Sequence, residues 1–248
     1  MLLTPEDKWA LYDRLIDLVP PDAQIGRIEG GRFWLMVTAA GGGTGLAQRP
    51  GGGPLPADFS GYSLRELAGL IKSWDFNLAA VGLAAVNAAI NTNLGVSNSG
   101  PPLDAFDYFF NEAKGQKVTV VGHFPYLNRL RAESQLTVLE RNPQPGDLPD
   151  SAAEYVLPES DFVFLTGTTV INKTLPRLLE LSEKAKITLV GPSTPLSPVL
   201  FEYGVSALAG LTALDSPELI DAIKADRCEQ VFKKGARKVN LLKPKTFT

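Results

Sequence analysis

Between Lys117 and Leu242 the chain repeats one pattern, a short apolar and largely β-branched run followed by a helical or turn-rich segment. The runs are Val118 to Val121, Leu136 to Leu139, Phe162 to Leu165, Ile187 to Val190, Ala207 to Leu211 and Val239 to Leu242. Continuous rather than alternating apolar character suits strands covered on both faces, and strands separated by crossovers pair in parallel. The pattern therefore predicts an α/β fold with a parallel sheet. Helices are expected at Ser151 to Val156, where Ser151 and Glu154 fit a capping box, at Leu175 to Lys184, and at Pro217 to Lys224, capped by Asp215 or Ser216.

The chain before this pattern is built differently. Thr4 as cap, Pro5 at the first helical position and acids in the first turn open a helix with an apolar stripe from Trp9 to Val19, stopped by Pro20 and Pro21. Gln24 to Glu29 and Arg32 to Ala39 read as two strands joined at Gly30-Gly31, a two-residue hairpin. From Ala40 to Pro56, seven glycines and three prolines predict a surface loop. Ser63 and Glu66 match a capping box for a helix running to about Trp74. Asn77 to Ile90 is a second helix, apolar nearly all round and hence buried on most faces. Its Asn87 and Asn91 share a face and either pair in the core or look into a cleft. Thr92 to Pro102 has no period and many turn residues, which sets a boundary between an α+β module, residues 1–95, and an α/β domain, residues 103–248.

A net charge of -3 points to no polyanionic partner, and the basic stretch Lys233 to Lys245 reads as a solvated helix end and strand, so no nucleic acid is expected. The single cysteine, Cys228, excludes an intrachain disulfide and a multi-cysteine zinc site and is read as structural. The longest apolar run, Leu78 to Val86, is too short to span a bilayer, and acids stand near the N-terminus where a secretory signal has basic residues. A cytoplasmic protein without a membrane partner is expected.

In an open parallel sheet, ligands bind beyond the carboxyl ends of the strands. Four loops there carry groups able to hold a phosphate, carboxylate or carbonyl: Gly122, His123, Phe124 and Pro125; Glu140, Arg141 and Asn142; Thr166, Gly167, Thr168 and Thr169 with Asn172; and Gly191, Pro192, Ser193 and Thr194. His123, the only histidine, reads as a general acid/base, a metal ligand or an imidazole simply hydrogen-bonded in a turn, and Glu140 stands where a dinucleotide-binding sheet places its ribose-binding acid; these two are the catalytic candidates. The glycine fingerprint of such sheets is missing, because Pro125 removes a donor after the first strand, and the glycines of residues 41–46 end on Leu46 in the other module. Ordinary NAD binding is disfavoured, while a nucleoside-type cofactor such as S-adenosylmethionine stays open. With one histidine and one cysteine, a closed zinc site of soft ligands is not expected, and no metal ligands are assigned; a metal ion would need carboxylates or arrive as a metal chelate carried by a small molecule. Asp104 and Asp107 either face the cleft or, as the preferred reading, are solvated loop acids.

The ordered stretches GGGTGLA (41–47), GLAAVNAAIN (82–91), VVGHFP (120–125), VLERNPQPGDLP (138–149), FLTGTTVIN (164–172) and VGPSTPLSP (190–198) resemble a family of bacterial and archaeal proteins classed as a heavy-metal chelation domain. The resemblance covers essentially the whole chain. It implies a module similar to the N-terminal domain of enolases, then a Rossmann-like doubly wound parallel sheet, with a cleft between them that Thr44, Gly45 and Asn91 share with the sheet-edge loops. Enolase chemistry is not implied, since its metal-binding carboxylates belong to a barrel absent here. Three functions follow as alternatives: a protein binding a small-molecule ligand in heavy-metal chelation or metal-chelate or cofactor metabolism, an enzyme using a nucleoside-type cofactor, and a homo-oligomeric interaction protein.

Overall fold

A computed structural model describes residues 5–50, 52, 53, 55, 58–92, 104–227 and 235–244. The expected cap Thr4, most of the proposed boundary segment, Cys228, Lys233 and Lys245 lie outside the described residues. Helix α1 (Pro5–Asp17) precedes an antiparallel sheet of β1 (Ile25–Gly30), β2 (Trp34–Ala39) and β3 (Thr44–Gln48) in that order. Helix α2 (Leu64–Gly69) opens with the expected capping box, Ser63 Oγ accepting from the Glu66 amide while Glu66 accepts from the Ser63 amide, and it leads to α3 (Phe76–Thr92).

Two glycine readings are corrected, for one physical reason. The hairpin turn lies at Arg32-Phe33, closed by the Gly31 amide donating to the Trp34 carbonyl at 2.8 Å. Gly31 lacks a Cβ because one would overlap the Ile223 carbonyl, not because the turn bends there. Likewise the expected surface loop contains β3, whose Thr44, Gly45, Leu46 and Ala47 are buried. A Cβ on Gly45 would overlap the Ala84 carbonyl oxygen and the Ala88 amide nitrogen of α3, so this glycine lets a strand lie directly on a helix backbone.

The second sheet has seven strands: β4 (Lys117–Val121), β5 (Gln135–Glu140), β6 (Leu148–Pro149), β7 (Phe162–Thr166), β8 (Lys186–Val190), β9 (Val205–Ala213) and β10 (Ala236–Leu242). Their order is β10-β9-β8-β7-β4-β5-β6, reversing between β4 and β7. All pairings are parallel except β10 with β9, which departs from the expected all-parallel sheet; an antiparallel edge strand is common in such sheets. Short helices α4 (Ala105–Tyr108), α5 (Phe110–Ala113) and α6 (Asn128–Glu133) precede β5, while α7 (Ala153–Val156), α8 (Thr168–Ile171), α9 (Leu175–Leu181) and α10 (Pro217–Lys224) follow it. Ser216 caps α10 as expected, but α7 grows from a 3-10 turn without a Ser151 cap, and Glu154 instead pairs with Arg177. No described helix is long and apolar enough to cross a membrane.

One continuous core joins both halves. Leu11, Leu15, Leu35 and Leu83 pack with Val163, Leu165, Leu189 and Leu208, and a second cluster sets Trp34, Met36 and Leu46 against Leu211, Leu219 and Ile223. The opposite sheet face carries Phe106, Phe109, Phe162 and Phe164, with Phe106 and Phe164 centroids 4.9 Å apart.

At the junction the Tyr12 hydroxyl donates to the Val170 carbonyl at 3.2 Å, and burial pushes its phenol pKa up. Beside it Lys173 sits over the Tyr12 and Phe76 rings at 5.8 and 5.9 Å and donates to the Ile171 carbonyl. Burial lowers its pKa from the ordinary 10.5 to about 8. Its charged form is thus disfavoured in the fold. The penalty is fully present below about pH 8 and vanishes as pH rises past the unfolded value. Denaturant titrations across that window should show wild type gaining stability relative to Lys173→Met, by about 1 kcal/mol because solvent contact screens part of the effect.

Candidate functional site

A cavity of about 530 Å³ opens on the aromatic side of the large sheet. Ala209, Gly210 and Leu211 of β9 line it, together with Val190, Gly191 and Pro192 at the end of β8. The β4 loop supplies His123, Phe124, Pro125 and Tyr126, the start of α4 supplies Asp104 and Phe106, and β10 supplies Lys238 and Asn240. Trp34 and Gln48 come across from the N-terminal sheet, so residues from both halves of the chain build one pocket. Its volume is in the range of small-molecule pockets, and its lining combines apolar walls with a few polar groups.

The β4 loop is shaped by its glycine and by a carboxylate. Gly122 has φ +106°, and a Cβ there would press on the Thr166 side chain at 3.1 Å. Glu140, at the tip of β5, accepts the His123 amide at 2.9 Å through one oxygen and the Arg141 and Asn142 amides at 2.8 and 3.2 Å through the other. Its carboxylate therefore ties two loops together, and most of the acceptor capacity that a ribose would need is already in use. Phe124 stacks edge-on against Phe106 with centroids 5.2 Å apart. Tyr126 follows at φ +74°, a strained value for a side chain with a Cβ, and the residue is 82% exposed.

His123 is 40% exposed by side chain, and its Nδ1 lies 3.0 Å from Asp147 Oδ2. The Asp147 side chain is only 2% exposed and also accepts the Gln144 amide at 3.1 Å. Asp104 accepts the Phe106 amide through one oxygen and meets Lys238 at 3.2 Å through the other. This half-exposed ion pair contributes little to stability.

The other residues picked from sequence lie apart from the cavity. Thr166 and Thr168 share a hydroxyl contact of 3.0 Å, Thr169 donates to the Thr166 carbonyl, the Gly167 amide donates to Val190, and Asn172 accepts from Thr174. That turn satisfies itself. Ser193 Oγ accepts the Gln48 amide at 2.9 Å, fastening β3 to the β8 loop, and the Thr194 amide donates to Gly191. Thr44 and Gly45 belong to the packing of β3 on α3, with Asn91 donating to the Thr44 carbonyl and Asn87 to those of Leu46 and Ser193. The two asparagines thus hold backbone, not each other. Sequence reasoning did not single out Trp34, Gln48, Tyr126, Lys238 or Asn240, which line the cavity, or Asp147 beside His123, and for Asp104 it preferred a solvated acid over one facing a cleft. The small residues of β9 and the turn Gln144-Pro145-Gly146-Asp147, which presents an acid at its last position, were the available signals.

A resident metal fits these residues poorly. Among the described residues no three His, Cys, Asp or Glu side chains gather to hold an ion. In the pocket the imidazole Nδ1 is engaged by Asp147 and the Asp104 carboxylate by Lys238.

Residues 104–242 match the DUF364 family and residues 12–90 the DUF4213 family, each described as "Putative heavy-metal chelation". An uncharacterised protein of Methanocaldococcus jannaschii is 29% identical over 187 residues, covering 72% of this chain and 71% of the relative. A crystal structure of a DUF364 protein of unknown function from Desulfitobacterium hafniense matches with a TM-score of 0.88 at 37% identity, over 96% of this chain and 99% of the other. Another from Pyrococcus horikoshii, 20% identical over 95% of this chain and 99% of its own, has a TM-score of 0.79 and shares the fold. The matched segments contain both the sheet-edge loops and the β3 strand that complete the pocket, and the chain belongs to the DUF364 family.

Proposed function

We infer that the protein binds a small, flat organic molecule in the pocket between its two halves, and that heavy-metal chelation concerns a metal held by such a molecule as cargo. One observation carries this reading. Trp34, Phe106, Phe124 and Tyr126 line a cavity that also holds Asp104, Lys238 and His123, a lining made for rings with polar substituents and not for a bare cation. The family description names chelation, and a ligand bringing its own donor atoms meets it without a protein-built metal site.

The test is a thermal-shift panel of aromatic and heteroaromatic chelators, each alone and with nickel, cobalt or zinc, on wild type and Ala209→Trp. The tryptophan fills part of the cavity. Binders at about a hundred times Kd should stabilise wild type by about 2.7 kcal/mol and leave the variant unmoved. Equal shifts in both proteins, or stabilisation by bare metal salts alone, would overturn the reading.

A further inference from the structure

We propose that His123 is the proton acceptor for the pocket's ligand and that Asp147 is its positioning residue, a role resting on the pocket being a ligand site. The turn from Gln144 to Asp147 is closed by the Asp147 amide donating to the Gln144 carbonyl at 2.9 Å, with Gly146 at φ +96°. That turn fixes the Asp147 backbone, and the Gln144 amide fixes its carboxylate. A carboxylate only accepts hydrogen bonds, so the imidazole nitrogen 3.0 Å away must be the one carrying the proton. Neutral His123 is then the Nδ1–H tautomer, and its lone pair sits on Nε2, which has no partner among the described residues and belongs to a side chain lining the cavity. A free histidine side chain prefers the opposite tautomer, Nε2–H. A buried acid that selects Nδ1–H is what makes a histidine a general base at its outer nitrogen.

The ligand class this suits carries an acidic O–H or N–H on or beside its ring. The Nε2 lone pair takes that proton, the ligand is left as an anion in a pocket that also holds the Lys238 ammonium, and the imidazolium is held beside the ionised Asp147 carboxylate. The proton returns to the product or leaves to solvent through the exposed edge of the ring, so charge and atoms balance. A deprotonated ring oxygen or nitrogen is also the form that binds a metal, which links the dyad to a chelating ligand.

Because the chain has a single histidine, the test needs no ligand. In protein labelled with ¹⁵N-histidine, the two ring nitrogens at alkaline pH give one spin system, and wild type should show Nδ1–H. Asp147→Ala should revert to mainly Nε2–H, and diethyl pyrocarbonate, which acylates the free imidazole nitrogen, should then react a few-fold more slowly at Nε2. Near-UV circular dichroism checks that the variant is folded. An Nε2–H tautomer in wild type overturns the proposal, even if the variant cannot be folded, and so does a variant keeping the wild-type tautomer and rate. A failed chelator panel with an Nδ1–H histidine would instead reject the ligand class while leaving the dyad's geometry in place.

Discussion

Gly45→Ala is expected to be one of the most damaging single-methyl substitutions among the described residues. The position lies in β3, and the added Cβ meets the backbone of α3 at Ala84 and Ala88, not the flexible end of a side chain. Neither backbone can yield alone, because β3 is also paired to β2 along its length and α3 is buried on most faces. Overpacking in a well-filled core costs typically about 1–3 kcal/mol, and a clash between two backbones belongs at or above the top of that range. The loss should appear as a lowered urea midpoint, or as insoluble protein. It should also weaken the pocket, since Trp34 and Gln48 reach the cavity from the strands that would be displaced. Purified Gly45→Ala of wild-type stability would show that β3 does not lie on α3.

The second large effect is expected at Asn87, which is 4% exposed and donates from Nδ2 to the carbonyls of Leu46 and Ser193. One amide thereby holds α3, β3 and the β8 loop together. Asn87→Asp keeps the shape, removes both donors and sets a carboxylate against two carbonyl oxygens. At neutral pH the loss should be about 3 kcal/mol or more, the scale of an uncompensated buried charge. The sign of its pH dependence follows directly. The folded state would raise the new carboxyl above its unfolded value of about 3.9, so the variant should recover stability as pH falls toward that value. Asn87→Leu removes the donors without adding charge and should lose about 2 kcal/mol with no such recovery. Urea titrations of both variants between neutral and mildly acidic pH separate the two causes.

The large sheet was legible because its strands are continuous apolar runs, and Val118 to Val121 or Ile187 to Val190 can hardly be anything else beside their turns. The helices at Pro217 and Leu64 were legible because their caps are local chemistry. Glycine was misleading. In Gly31 and Gly45 it answers a neighbour distant in sequence, and a missing Cβ looks the same whether a turn or a close approach requires it. The site divided in the same way. His123, Phe124, Pro125, Gly191 and Pro192 follow strands directly and do line the cavity. Trp34, Lys238 and Asn240 lie within strands, where nothing local distinguishes a residue facing a cavity from one facing its neighbours. Glu140 was placed correctly at a strand tip, but three nearby amides take its carboxylate, and only folded geometry shows that.

The walls of the pocket come from strands near opposite ends of the described chain, β2 and β3 on one side and β10 on the other. On the ribosome, then, Trp34, Met36 and Leu46 must wait uncovered until Leu211, Leu219 and Ile223 have been made. Such non-local closure is slow, and apolar surface left waiting invites aggregation. Nascent chains arrested before β9 should therefore lean on chaperones, and a small molecule that fits the cavity would act late, as the clasp that closes an already ordered body.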